Sequence, residues 1–279
     1  MNKTFVDFAC VPSSARVSEL EKLGEGRQAE LFAWPKGAVK LFHEPGNSAS
    51  VQWEATVMHL LWTTGIPMPR FLGMVMIEGR PGIVMERLTG GNQLSLLERK
   101  PWSIPTAGKK FARLHAALHL ARAPKHLRPL RHSVGEEIER SELIPYTIKK
   151  ATLTALDRLP DGDAVCHWDF HPGNVIETAD GLKVVDWANA RRGDAHADIA
   201  RTVLILKSAA LPSKTPFLVR RLTAVARGVF YRHYLDEYRR LRSFEEEILK
   251  NWMSVSAASR LSYGIPQERN YLLALLDNN

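Results

Sequence analysis

The stretch Val165-Cys166-His167-Trp168-Asp169-Phe170-His171-Pro172-Gly173-Asn174 places a histidine, an aspartate and an asparagine in an H-x-D-x4-N pattern, and a second aspartate, Asp186, follows twelve residues after Asn174. A loop carboxylate such as Asp169 can accept a hydroxyl proton. An amide oxygen from Asn174 and a carboxylate oxygen from Asp186 suit Mg²⁺, a hard ion that takes a few protein oxygens and completes its shell with phosphate oxygens. A base and a cation site on one short stretch are parts that phosphoryl transfer to a hydroxyl would use. Zinc is the competing reading, because His167 and His171 are four apart with Asp169 between them. That spacing shares a face only on a helix, and Pro172-Gly173 before a strand put these residues in a loop.

The elements that must position this chemistry can be read from periodicity and turn signals. Val175-Ile176-Glu177 and Leu182-Lys183-Val184-Val185 flank Asp180-Gly181, a dipeptide suited to a two-residue hairpin turn. With that turn, Val175 pairs with Asp186, and Asn174 and Asp186 come close enough to share one cation. Upstream, residues 17–41 read as β structure broken at Gly24, Gly26 and Pro35-Lys36-Gly37, and Leu23-Gly24-Glu25-Gly26-Arg27-Gln28-Ala29 is a G-x-G-x-x-A loop whose backbone N–H groups can approach phosphates. Ser50 opens a helix with Val51, Trp53, Val57, Met58 and Leu61 at helical spacing, stopped by Gly65-Ile66-Pro67. Phe71–Met76 and Gly82–Met85 form two more strands. Near Glu86–Asn92 a glycine-rich connector gives way to helical patterns over 109–120, 198–206, 217–234 and 244–252. The expected fold is α+β and bilobal, with a small β-rich lobe holding one helix (residues 1–88), a hinge at about 86–92, and a larger, mostly α-helical lobe (89–279).

The H-x-D-x4-N loop and the following Val185-Asp186-Trp187 are similar to the catalytic loop and metal-binding segment of protein kinases. His171-Pro172-Gly173, Gly193-Asp194 with Asp198-Ile199-Ala200, Leu114-His115, Ile66-Pro67-Met68-Pro69 and Val84-Met85-Glu86 leading to Gly90 resemble the aminoglycoside phosphotransferase and choline kinase-like family more closely. The resemblance covers residues 23–201 and implies the protein-kinase-like fold. It implies Asp169 as the catalytic base, Asn174 and Asp186 as Mg²⁺ ligands, and His167 as a brace of the loop. His171 is left with either a structural place or one beside the transferred phosphate. It also implies that Lys40 contacts the nucleotide phosphates below the Gly24–Gly26 loop, with Glu54 orienting it. Gln52 and Glu44 are nearby, but Glu54 alone sits inside the apolar periodic stretch. Backbone groups of Glu86 and Leu88 would meet the base of ATP, with GTP an alternative, and Asp198 would hold the catalytic loop.

Composition bounds the partners. The chain has 279 residues, 45% hydrophobic and 24% charged, with a net charge of +8. All of the excess lies after Leu88, which suggests an anionic partner such as nucleotide phosphate. Neither a helix-turn-helix nor a zinc-finger pattern argues for nucleic acid. No apolar run is long enough for a membrane span or a signal segment, so a soluble, cytoplasmic protein with two unpaired cysteines is expected. A basic second half argues against a polycationic aminoglycoside acceptor, although Glu136-Glu137 and Glu245-Glu246-Glu247 offer acidic clusters that could build a local pocket. A neutral or anionic small-molecule alcohol is the preferred acceptor. The alternatives are a catalytically silent nucleotide-binding scaffold and a kinase for a macromolecular or lipid-linked acceptor. No A-P-E segment follows Asp186, which speaks against a regulated protein kinase.

Overall fold

A computed structural model describes residues 8–43, 48–208 and 216–277. In chain order the elements are β1 (Cys10–Pro12), β2 (Lys22–Glu25), β3 (Ala29–Trp34), β4 (Gly37–Phe42), α1 (Ser48–Trp62), β5 (Phe71–Ile77), β6 (Arg80–Met85), β7 (Gly91–Asn92), α2 (Gln93–Arg99), α3 (Ile104–Leu120), α4 (Leu130–Arg140), α5 (Tyr146–Arg158), β8 (Ala164–Cys166), β9 (Val175–Thr178), β10 (Gly181–Val184), β11 (Arg191–Gly193), α6 (Ala195–Ser208), α7 (Phe217–Leu241), α8 (Glu246–Leu261) and α9 (Arg269–Asp277). They divide into two compact units, residues 1–91 with 175–189, and residues 92–174 with 190–279.

The first unit is built on a six-stranded sheet ordered β1-β5-β6-β4-β3-β2. β1 runs parallel to β5 and the other pairs are antiparallel. Strand side chains alternate between faces. On β4 this sends Val39 and Leu41 to one face, where they bury with Phe32, Val75 and Ile77, and Lys40 to the other. Helix α1 is apolar on most of its circumference, with Val51, Ala55, Val57 and Leu61 fully buried, as befits a helix enclosed on several sides. β9 and β10 group with this unit, and β10 is tied to it where Val184 donates its N–H to the Pro67 carbonyl at 2.8 Å.

The β9–β10 hairpin departs from the expected register. Val175 pairs with Val184, and Thr178 with Gly181, so Ala179-Asp180 form the loop and Val175 does not pair with Asp186. Two local features shift the turn. The Thr178 hydroxyl donates to the Gly181 carbonyl at 2.9 Å and accepts from the Asp180 N–H at 3.3 Å. Gly181 takes the positive φ of 118°, as in a type I turn closed by a glycine bulge, whereas a type I′ turn would need positive φ at both loop residues. Asp186 therefore lies two residues beyond the last paired position.

The second unit is helical. α3 packs along α7, and α6 along α8. The short strands β8 and β11 pair antiparallel, Cys166 opposite Arg191 and Ala164 opposite Gly193. This pairing sets the segment that precedes the His167–Asn174 loop beside the segment that leads into α6. Among the described residues, no helix is long and apolar enough to cross a membrane.

Candidate active site

In the first unit Lys40, Glu54 and Asp186 meet. The Lys40 ammonium donates to Glu54 Oε1 at 2.7 Å, to Glu54 Oε2 at 2.9 Å and to Asp186 Oδ1 at 2.9 Å. The pleat of β4 aims Lys40 at α1, and α1 in turn holds the turn after Asp186 through the Trp53 indole N–H, which donates to the Ala188 carbonyl at 3.2 Å. Asp186 itself has φ of 65°, a left-handed conformation that aspartate tolerates better than most residues. Burial pulls the Lys40 ammonium's pKa down, but Glu54 and then Asp186 outweigh it and hold it above the ordinary lysine value. Glu44 lies outside the described residues.

Gly24 lies within β2, paired with Leu31, and Gly26 opens the β2–β3 turn, its N–H donating to the Ala29 carbonyl at 2.8 Å. Neither glycine has a positive φ. A Cβ added at Gly24 would meet nothing within 4 Å, and one at Gly26 only the Ala29 carbonyl at 3.5 Å. The fold therefore does not demand glycine here. Gly24→Ala is accordingly expected to leave the melting temperature within a degree or two while weakening nucleotide binding several-fold. Thermal denaturation and nucleotide titration of the same sample check both halves.

At the connector, Glu86 serves as a brace. Its N–H donates to the Arg70 carbonyl at 2.8 Å, and its carboxylate accepts from the Arg70 N–H at 3.0 Å and the Lys183 ammonium at 2.6 Å. The N–H of Glu86 is thus committed within the protein, and Lys183 and Arg70 join the region without having stood out in the sequence. Leu88 is half-buried.

In the second unit the loop brings together His167, Asp169, His171 and Asn174. The Asn174 Nδ2 donates to the Asp169 carbonyl at 3.0 Å, which leaves its Oδ1 as the oxygen suited to a cation. The fully buried His167 accepts the Asp169 N–H on Nδ1 at 3.3 Å. His171 Nδ1 accepts from the Gly173 N–H at 3.1 Å. That fixes the His171 proton on Nε2, which lies 3.9 Å from Asp169 Oδ2, beyond hydrogen-bond range. The Asp169 side chain is 25% exposed, accessible to a substrate.

The residue before Asp169 is strained. Trp168 is fully buried with φ of 65°, a conformation costly for a bulky side chain unless its surroundings over-determine it. They do. Asp198 Oδ1 accepts the Trp168 N–H at 2.7 Å, Arg201 Nε donates to the Trp168 carbonyl at 3.3 Å, and the Arg201 guanidinium lies 5.2 Å from the centre of the indole. The other oxygen of Asp198 accepts from the His167 N–H at 2.7 Å, His115 Nε2 at 3.1 Å and His119 Nε2 at 3.2 Å. Arg201 and His119 were not singled out in the sequence. The i, i+4 spacing of His115 and His119 on one face of α3, and the inward face of α6, were the signals available.

This cluster gives the fold an acid-side liability. Burial, reinforced by His119, pulls His115 down to about 3. Burial alone would push Asp198 up, but the hydrogen bonds from His115 and His119 outweigh it and hold it well below the usual carboxylate range. As pH falls below about 6.5, the unfolded chain takes up a proton that folded His115 refuses, and below about 4 the same holds for Asp198. Both shifts act in one direction: stability is complete above about pH 6.5 and falls by about 1.4 kcal/mol per pH unit for each unmatched proton. Urea unfolding from pH 7 to pH 4 should show that slope, and His115→Gln should flatten its upper part.

A sequence profile of the APH phosphotransferase enzyme family matches residues 35–244. The chain belongs to this family. Solved structures similar to this phosphotransferase-family chain include an aminoglycoside-3'-phosphotransferase of type VIII, at 18% identity and a TM-score of 0.59 over 85% of this chain and 92% of that one. A choline/ethanolamine kinase family protein from Mesorhizobium loti aligns at 17% identity and a TM-score of 0.52, over 95% and 86%. The amicoumacin kinase hAmiN, solved in complex with AMP-PNP, Ca²⁺ and Ami, aligns at 14% identity and a TM-score of 0.60, over 97% and 89%. At these identities the likeness concerns the fold, which is protein-kinase-like. Among curated proteins no sequence matches this one.

Proposed function

We propose that this phosphotransferase-family protein moves the γ-phosphoryl group of ATP, or GTP, to a hydroxyl of a small molecule, with Asp169 as the base. The observation that carries the reading is the Lys40–Glu54–Asp186 triad, a lysine held charged by two carboxylates on the pleat below a glycine loop that the fold does not itself require. Lys40 would neutralise charge on the nucleotide phosphates while Glu54 keeps it aimed. The oxygen-only donor set of Asn174 and Asp186 fits Mg²⁺ rather than zinc. Bound there, the ion would neutralise phosphate charge as the oxygen–phosphorus bond to the nucleoside diphosphate breaks. Asp169 takes up the acceptor's hydroxyl proton as the new oxygen–phosphorus bond forms, and the nucleoside diphosphate departs.

For the acceptor, the charge division supports a neutral or anionic alcohol. The first unit holds 10 Lys/Arg and 12 Asp/Glu, the second 28 and 18. Of the acidic clusters that might have received a polycation, Glu136 pairs with Arg140 at 3.1 Å, Glu137 with Arg191 and the Ser259 hydroxyl, and Glu246 with Arg239. Nucleotide consumption measured against a panel of sugars, amino alcohols, nucleosides, phosphorylated alcohols and aminoglycosides tests the proposal. Turnover with a non-cationic alcohol supports it. Turnover with aminoglycosides alone corrects the acceptor class, label transfer to a macromolecular fraction moves the activity to that class, and nucleotide-induced thermal stabilisation without any turnover identifies a scaffold.

A further inference from the structure

Asp198 is embedded in a symmetric set of side chains. His115 and His119 sit one turn apart on α3, and Tyr234 and Tyr238 one turn apart on α7. Each histidine presents Nε2 to the same Asp198 oxygen and Nδ1 to a tyrosine hydroxyl: His115 to Tyr234 at 2.8 Å, and His119 to Tyr238 at 2.7 Å. All five residues are buried, the most accessible being His119 at 4%.

With both imidazoles neutral, the chemistry of these groups allows one arrangement of hydrogens. An ionised carboxylate only accepts, so each imidazole must carry its proton on Nε2. A neutral imidazole then has Nδ1 as an acceptor, and the tyrosine must donate to it. The carboxylate thus selects the tautomer, and each tyrosine hydroxyl, by donating to Nδ1, fixes the plane of its histidine. Without it, the ring is held at Nε2 alone and can turn out of line with the carboxylate.

The effect converges on the flanks of Asp169. Asp198 holds the His167 and Trp168 N–H groups on one side. On the other, Phe170 stacks between the His115 ring at 4.1 Å and Phe111 at 4.2 Å. We infer that Tyr234 and Tyr238 are positioning residues for Asp169, acting through His115 and His119 on Asp198, so that α7 sets the geometry of the catalytic loop. The inference rests on the reading of Asp169 as the base. The donor atoms of His115, His119 and Asp198 also lie within 4.8 Å of one another, near enough for a metal ion. The hydrogen-bond arrangement satisfies each of them without one.

Two measurements on the full chain separate this role from plain packing and do not depend on the acceptor. Nitrogen-15 spectra of labelled histidine should show His115 and His119 as neutral Nε2–H tautomers at pH 7.5, and Tyr238→Phe should shift the His119 Nδ1 resonance as its hydrogen bond is lost while the proton stays on Nε2. Amide hydrogen exchange should speed up at least about tenfold at His167 and Trp168 in Tyr238→Phe and Tyr234→Phe, with exchange in the β3–β4 hairpin unchanged. With an acceptor in hand, Tyr238→Phe should lower kcat about 10-fold to 100-fold, the loss that a small misplacement brings, while nucleotide KM stays within twofold. His119→Gln, which keeps a donor for Asp198, should retain more activity than His119→Phe. Unchanged exchange at His167 and Trp168, an imidazolium or Nδ1–H form in the parent protein, or a stoichiometric metal on the cluster would overturn the inference. Faster loop exchange in a chain that transfers no phosphoryl group would instead uphold the anchoring of the loop and sink the proposed function.

Discussion

Asp169→Asn should abolish all but a trace of phosphoryl transfer, lowering kcat by about 10²–10⁴, the range for loss of a positioned base, while nucleotide binding stays within about twofold. Asparagine keeps the size of the side chain and can still meet Asn174, whose principal bond is to the main-chain carbonyl of Asp169 rather than to its carboxylate. The anchors of the loop lie on its neighbours, Trp168 and Phe170, so the fold does not need the charge. Kinetics with the best acceptor from the panel, together with calorimetric nucleotide titration, measure both quantities. A variant that retains a tenth of parent activity would remove Asp169 from the chemistry.

Lys40→Met should be the most damaging change in the first unit, because it strands a carboxylate. The Glu54 side chain is 3% exposed, and Lys40 is its ion-pair partner at 2.7 Å. Removing one member of a buried pair leaves an uncompensated charge and costs about 3–5 kcal/mol. The double variant Lys40→Met with Glu54→Gln removes both charges and should recover most of that loss, while nucleotide affinity remains reduced by an order of magnitude or more. Urea unfolding of the single and double variants, paired with nucleotide titration, separates the two roles of Lys40. Full nucleotide affinity in the double variant would mean that Lys40 serves the fold alone.

The parts of the site that the sequence shows are those held by short chain segments. His167, Asp169, His171 and Asn174 lie in one loop whose only helical piece is the single 3₁₀ turn Pro172–Asn174, and the pleat of β4 sends Lys40 to the face opposite Val39 and Leu41. Glu54 was found because it interrupts an apolar helix. The hairpin register was missed by one turn choice: Asp180-Gly181 matches a type I′ loop by composition, but the hydroxyl of Thr178, a residue with no special standing in that pattern, draws the turn one residue earlier. Helices α2, α4, α5 and α9 escaped for a different reason. α2 spans only seven residues, and α4 and α5 carry few buried positions, Leu130, Val134 and Ile138 in one and Thr152 and Leu156 in the other, so their helical spacing rests on few apolar residues amid many polar ones. The Arg201 clamp and the tyrosine arms join residues between 33 and 119 positions apart. No local pattern announces such pairings, although histidines and tyrosines each repeating at i, i+4 on apolar helix faces are uncommon enough to search for.

The grouping of residues 175–189 with residues 1–91 bears on how the chain is made. As synthesis proceeds from the N-terminus, the six-stranded sheet is available early, but Glu86 must wait for Lys183 and Lys40 for Asp186, each about a hundred residues or more downstream. A chain released after Gly91 would carry the sheet without either partner. The nascent first unit therefore passes the ribosome in an unfinished state until residue 189 has emerged, and pulse-chase proteolysis of arrested chains should find its resistance arriving only then.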